Sequence, residues 1–211
     1  MARLSSGSPL KGARGRIGNI VTYDLNGVQV ARALPDRSRK RKASPLEEIN
    51  RNNFLFRHAV AKTVKHSLID RIWSKQVYIG GMNPYNSFIS ANKSAFGTDM
   101  TIAFPELMVL SVGNLRQVQD LQVSRVGELL EFRWKALFSI HSSQEDLLNL
   151  VLVSRDKLEV FPTLIKREEE FATLKLQNDA SEGVKGYLFW SSVNDRNFSP
   201  SMFWKYSPVL G

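Results

Sequence analysis

Past Gly97 the hydrophobic pattern changes from a helical period to a series of short β-rich runs, and this change constrains the fold more than any other feature. The runs fall at 101–104, 108–112, 118–126, 129–136, 148–154, 158–161, 171–176, 187–193 and 202–209, and Gly, Asn, Asp, Ser or Pro punctuates most junctions. Short strands at this spacing predict an antiparallel two-sheet sandwich or barrel, and a fibronectin-III-like or immunoglobulin-like topology is the specific expectation. Trp134, in LLEFRWKA, stands where such a sandwich buries a large aromatic. The change from helices to strands is expected within 97–116.

Upstream, 17–34 reads IGNIVTYDLNGVQVARAL, two β-rich runs around Asn26-Gly27. That pair suits a two-residue type I′ hairpin, whose central residues both need positive φ. Pairing Leu25 with Val28 puts Val21, Tyr23, Leu25, Val28, Val30 and Arg32 on one face, and Ile20, Thr22, Asp24, Gln29 and Ala31 on the other. One face therefore wants a partner. The preceding segment, 1–16, is Gly, Ser, Pro and Arg without periodicity, which predicts an extended arm. Its Gly12, Gly15 and Gly18 match neither a dinucleotide fingerprint nor a phosphate-binding P-loop.

Ser44-Pro45-Leu46-Glu47 marks a helix start, and the helix should run from 45 to about 65. Leu46, Ile49, Phe56, Val60, Thr63 and Val64 form one stripe, with Arg51, His58, Lys62 and Lys65 on the opposite side. Phe54, Leu55, Leu68, Ile69 and Ile72 fall off the stripe, which calls for a break near Ser67. Gly80-Gly81 interrupts, and Asn83-Pro84 opens a second helix ending at Gly97. The expected class is thus α+β, divided as a basic arm and hairpin (1–43), a helical region (44–97) and a β-sandwich (98–211).

Charge sorts the functional classes. Residues 1–75 hold 16 Lys/Arg against 5 Asp/Glu, a formal +11, and the remainder 13 against 15, a formal −2. Arg37, Arg39, Lys40, Arg41 and Lys42 crowd into six positions, where a solvated linker and a polyanion contact are both open readings. The candidate polyanion- or partner-binding set comprises Arg14, Arg16, Arg32, Arg37, Arg39, Lys40, Arg41, Lys42, Arg51, Lys62 and Lys65. No aromatic interleaves the 37–42 run, so nucleic-acid contact through it would follow the phosphate backbone rather than the bases.

The sequence contains no cysteine, which excludes disulfides, thiolate metal sites and Cys nucleophiles. His58 and His66 stand eight residues apart, about 12 Å along a helix, too far to share one metal ion. Glu168, Glu169 and Glu170 read as a solvated loop or strand edge. No Gly-x-Ser-x-Gly elbow occurs. No catalytic, cofactor or metal site is therefore expected. The N-terminus lacks an apolar segment of signal-peptide length and no run approaches the roughly 20 residues that span a bilayer, so a cytoplasmic or assembly-packaged protein away from membranes is the expectation.

The pieces GRIGNIVTYDLNGVQVARALP, the Ser44-Pro45 helix start with Arg51 and Phe54, NPYNSFISANKSAF, LSVGNL, LEFRW and YLFWSSVNDRNFSPSMFWKYSPVLG span nearly the whole chain. In this order they resemble a domain-of-unknown-function family of small Bacteroidetes proteins with an N-terminal Gly-rich hairpin and a C-terminal β-sandwich. The resemblance implies that hairpin, helices and sandwich form one inherited unit, and it brings no activity, cofactor or residue role. The functional expectation is a non-enzymatic structural or adaptor component of a larger assembly, virion-like or mobile-element-related, docking through the basic arm and hairpin onto protein partners or further copies of itself. The alternative is a sequence-nonspecific nucleic-acid-binding protein using 37–42 and the basic helix face.

Overall fold

The computed structural model describes residues 2–25, 27–34, 42–75, 82–176 and 183–207. The class is mixed α+β, with antiparallel sheets. The chain separates into two compact units, Met1–Ser44 and Pro45–Gly211.

The first unit is a four-stranded sheet in the order β1-β4-β3-β2, formed by β1 (Ala2–Arg3), β2 (Gly15–Ile17), β3 (Ile20–Leu25) and β4 (Val28–Ala33). Leu25 lies opposite Val28, the register that hydrophobic alternation required. Gly27 takes φ +78°, the left-handed conformation a tight hairpin turn needs, while Asn26 lies outside the described residues. The segment 1–16 differs from the extended arm expected of it, because it supplies both edge strands and a folded loop between them. Gln29 explains why. Its Nε2 donates to the Ala13 carbonyl at 2.6 Å, and its Oε1 accepts from the Gly12 N–H at 2.8 Å. One side chain thus supplies the loop with bonds that Gly/Ser composition hides.

In the second unit, α1 (Pro45–Thr63) begins at the proline expected to open it, with Glu47 and Glu48 in the first turn. After Thr63 the backbone widens into a π-turn over Lys65–Ile69, where Ile69 and Asp70 bond five residues back to the Val64 and Lys65 carbonyls. The wider turn shifts the helical phase, and Leu68, Ile69 and Ile72, which did not fit the α1 stripe, are all fully buried. Leu46 and Ile49 depart from expectation. They are exposed because every residue of 45–52 is, so α1 begins outside the core and joins it only from Asn53 onward. Asn83 caps α2 (Pro84–Asn92) by accepting from the Asn86 N–H at 2.8 Å. Gly80 and Gly81 lie outside the described residues.

Seven strands follow among the described residues. β5 (Gln119–Val126), β6 (Leu129–Lys135) and β9 (Phe171–Lys175) form one sheet in the order β5-β6-β9. The other sheet runs β11-β10-β7-β8, from β7 (Leu147–Val153), β8 (Leu158–Lys166), β10 (Val184–Ser191) and β11 (Met202–Tyr206). Its central strands carry near-continuous apolar text because both faces are covered. Val151, Val153, Tyr187 and Phe189 share a core with α1, the π-turn and α2, and Leu148, Leu150, Leu188 and Trp190 share a second core with β6 and β9. Pro162 is tolerated in β8 because that strand is a sheet edge. Gly186 is required by close approach, since a Cβ there would lie 2.2 Å from the Val151 carbonyl oxygen.

The runs 101–104 and 108–112 are not strands. Asn92 takes the place of a ladder for the second: its Oδ1 accepts from the Val109 N–H at 2.6 Å and its Nδ2 donates to the Val109 carbonyl at 3.0 Å. Leu110 bonds in turn to the Ser201 hydroxyl and the Trp73 indole. The apolar residues of these runs still reach the core, with Ile102, Met108 and Leu110 buried. The last expected run, 202–209, is strand over Met202–Tyr206, and its end falls outside the described residues.

Candidate functional site

Antiparallel register gathers part of the basic set on one face of the N-terminal sheet. Arg16 lies opposite Val21, and Val21 opposite Arg32, which forms one row across β2, β3 and β4. The neighbouring row is Tyr23, Val30 and Arg3 across β3, β4 and β1, followed by Leu25 and Val28. Three arginines therefore share a face with a tyrosine and four aliphatic side chains. Val30 is buried, Arg3, Arg16 and Arg32 are exposed, and the Arg32 guanidinium stands 5.9 Å from the centre of the Tyr23 ring. Arg3 was missing from the sequence-derived set because the run 1–16 gave no strand period to place it on a face.

The opposite face carries the folded loop. Thr22 is buried there and donates to the Gly15 carbonyl, while Arg14 is held by the Asp24 carboxylate. Arg14 is thus separated from Arg16 and Arg32 and has its charge matched locally. Of the linker cations, Lys42 is exposed, and Arg37, Arg39, Lys40 and Arg41 lie outside the described residues. Arg51, Lys62 and Lys65 belong to the second unit and are exposed. Arg51 and Lys62 stand about 16 Å apart along α1, as separate charges rather than a cluster. His58 departs from the solvated back of the helix: it is half-buried, with Phe54 at 4.2 Å and Tyr85 at 5.4 Å between ring centres.

Two further charge centres lie in the second unit, and sequence reasoning missed both. Arg167 is 1% exposed. Its guanidinium meets Asp146 at 3.1 Å, donates to the Arg116 and Leu137 carbonyls at 3.1 Å each, and lies 4.7 Å from the centre of a Trp190 ring. Burial pushes the Arg167 pKa down, and Asp146 opposes that shift. The surrounding Glu168 to Glu170 run is a tight turn, in which Glu169 accepts from the Lys166 N–H and Glu170 from the Ala136 N–H, each at 2.7 Å.

The second centre is built on Arg71, placed by the π-turn against β7 and β10. Its Nε and Nη2 hold both oxygens of Asp195 at 2.7 and 2.6 Å, and its Nη1 donates to Asn149 Oδ1 at 2.6 Å. Nη2 also reaches the Ser191 hydroxyl at 3.1 Å, which accepts from Asn149 Nδ2 at 3.0 Å. The sequence signal was Asn149 itself, a polar residue inside LLNLVLV that requires a buried partner.

No family model matches the sequence, and no curated protein matches it. Among solved structures, the chain is similar to the crystal structure of the Clostridium perfringens spore cortex lytic enzyme SleM, at 11% identity and a TM-score of 0.30. That match covers 43% of this chain and 27% of the other.

Proposed function

We propose that the chain is a non-enzymatic structural or adaptor component of a larger macromolecular assembly, of virion-like or mobile-element type, that docks through its N-terminal sheet. The observation that carries this reading is the poor burial of that sheet. Val30 and Thr22 are its buried residues among those described, while Ile17, Ile20, Leu25 and Val28 are exposed. A sheet this small with so little apolar burial gains stability by covering that surface with a partner. Arg3, Arg16 and Arg32 on one of its faces favour a partner, or a second copy, with an acidic rim.

Two antiparallel sheets ordered β5-β6-β9 and β11-β10-β7-β8 support a fibronectin-III-like sandwich. The burial of Trp134 on β6, 5.5 Å from Trp190 between ring centres, supports it further. Such a module would act as the rigid body that the N-terminal sheet tethers.

Sedimentation of the purified full chain across a concentration series tests the docking reading. Concentration-dependent association that is lost in Leu25→Asp/Val28→Asp supports it. A monomer at every concentration whose first 44 residues resist protease removes its support. The three arginines around Tyr23 also favour a second reading, nonspecific binding to nucleic acid. Five to eight phosphate contacts would give a log–log salt slope of about −4 to −7 on duplex DNA, and salt-independent binding would exclude that reading.

A further inference from the structure

A cleft of about 430 Å³ opens beside the Arg71 centre, lined by Lys75, Gly113, Asn114, Arg196, Asn197 and Phe198. We propose that it is a binding site for a small oxyanion, the carboxylate or phosphate group of a ligand. It lies wholly in the second unit and does not depend on the docking reading.

Three features point to an anion. The first is charge: among the described residues Arg71 and Lys75 bond to Asp195 and Arg196 follows it in the chain, so these four residues together carry a formal +2. Arg71 grips both oxygens of Asp195, which pairs that carboxylate with its guanidinium. The Lys75 ammonium donates to the Asp195 carbonyl and stands 5.3 Å from the centre of the Phe198 ring, two contacts that hold it at the cleft.

The second feature is the rigidity of the loop that presents Arg196 and Asn197. The Ser192 hydroxyl accepts from the Arg196 N–H at 3.1 Å and the Asn197 N–H at 3.0 Å. The Ser192 N–H returns a bond to the Asn197 carbonyl at 2.9 Å, and Asp195 takes φ +54°, which aims its carboxylate back at Arg71. Residues 192–197 are therefore a closed turn, and little further backbone ordering is needed to present Arg196 and Asn197 to a ligand.

The third feature is the opposing wall. The Leu115 N–H bonds to the Phe198 carbonyl at 3.0 Å, and a Cβ on Gly113 would stand 2.0 Å from that same oxygen. Only glycine lets the two segments meet there, and their contact brings Gly113 and Asn114 to the cleft that Arg196 and Asn197 also line. Lys75, Arg196, Asn114 and Asn197 thus line one space, and the side chains of these residue types are donors suited to the several lone pairs of an oxyanion.

The test is an NMR titration of the 15N-labelled full chain with sodium phosphate, and separately with sodium acetate, at constant ionic strength set by chloride. The expected result is saturable shifts of the Asn114 and Asn197 side-chain amides and of the 196–198 backbone amides with at least one anion. Lys75→Gln/Arg196→Gln should weaken that binding about tenfold or more, while Lys135→Gln, an exposed lysine on β6, should leave it unchanged. Saturation by phosphate alone assigns a phosphate-bearing ligand, and saturation by acetate alone a carboxylate-bearing one. Shifts that do not saturate with either anion, or that persist unchanged in the double variant, overturn the proposal.

Discussion

At the scale of single residues, the second unit depends on a few buried polar groups. Asp146 and Arg167 are each 2% exposed by side chain and face each other at 3.1 Å. Asp146→Ala leaves a guanidinium buried against Trp190 without its counter-charge, and urea unfolding should show a loss of about 3–5 kcal/mol. Replacing both residues by apolar ones should not restore full stability, because Arg167 also serves the Arg116 and Leu137 carbonyls, which would then be buried unpaired. Tyr187 gives a pH-dependent prediction. Burial holds its phenol above the ordinary value of 10.0, and its hydroxyl donates to the Pro105 carbonyl. Above pH 10 the unfolded chain releases a proton that the folded chain keeps, so this contribution is complete below pH 10 and declines as the pH rises further. Tyr187→Phe should cost about 1 kcal/mol at neutral pH. Unfolding curves at pH 10 and above should also show a shallower alkaline decline in that variant.

At the scale of elements, what was legible in the sequence is what depends on neighbours along the chain. The β3–β4 register followed from alternation, the start of α2 from Asn83-Pro84, and β5, β6, β7 and β10 from runs bounded by turn residues. Features set by distant partners were not legible. The run 108–112 has strand composition, but its hydrogen bonds go to Asn92, Ser201 and Trp73, residues 17 to 91 positions away for the bonds at Val109 and Leu110. Likewise Gln29 holds a loop that lies 16 positions upstream of it, between two edge strands where an extended arm was expected. The clustering of Arg71 with Asp195 spans 124 positions, beyond any periodicity. Asn92→Ala tests this account: it strips both backbone groups of Val109 of their partner in a half-buried setting and should cost about 1–3 kcal/mol, with hydrogen exchange accelerated over 108–112. Exchange unchanged in that segment would mean that side-chain packing alone holds it.

At the scale of the whole molecule, stability is divided unevenly. The second unit has two apolar cores on either side of its four-stranded sheet, whereas the first relies on backbone ladders, Gln29 and a few half-buried side chains. Local opening free energies follow buried apolar contact, so the N-terminal sheet should be the least protected folded element of the isolated chain. Under the proposed docking, a sheet that exposes Ile17, Ile20, Leu25 and Val28 would gain stability when a partner covers them. Hydrogen exchange of the full chain at low and at high protein concentration tests this most directly. The account predicts fast exchange of β3 and β4 in the dilute chain and clear protection of the same amides on assembly, with β7 and β10 slow throughout. Exchange of β3 and β4 as slow as that of β10 in a dilute monomer would contradict it.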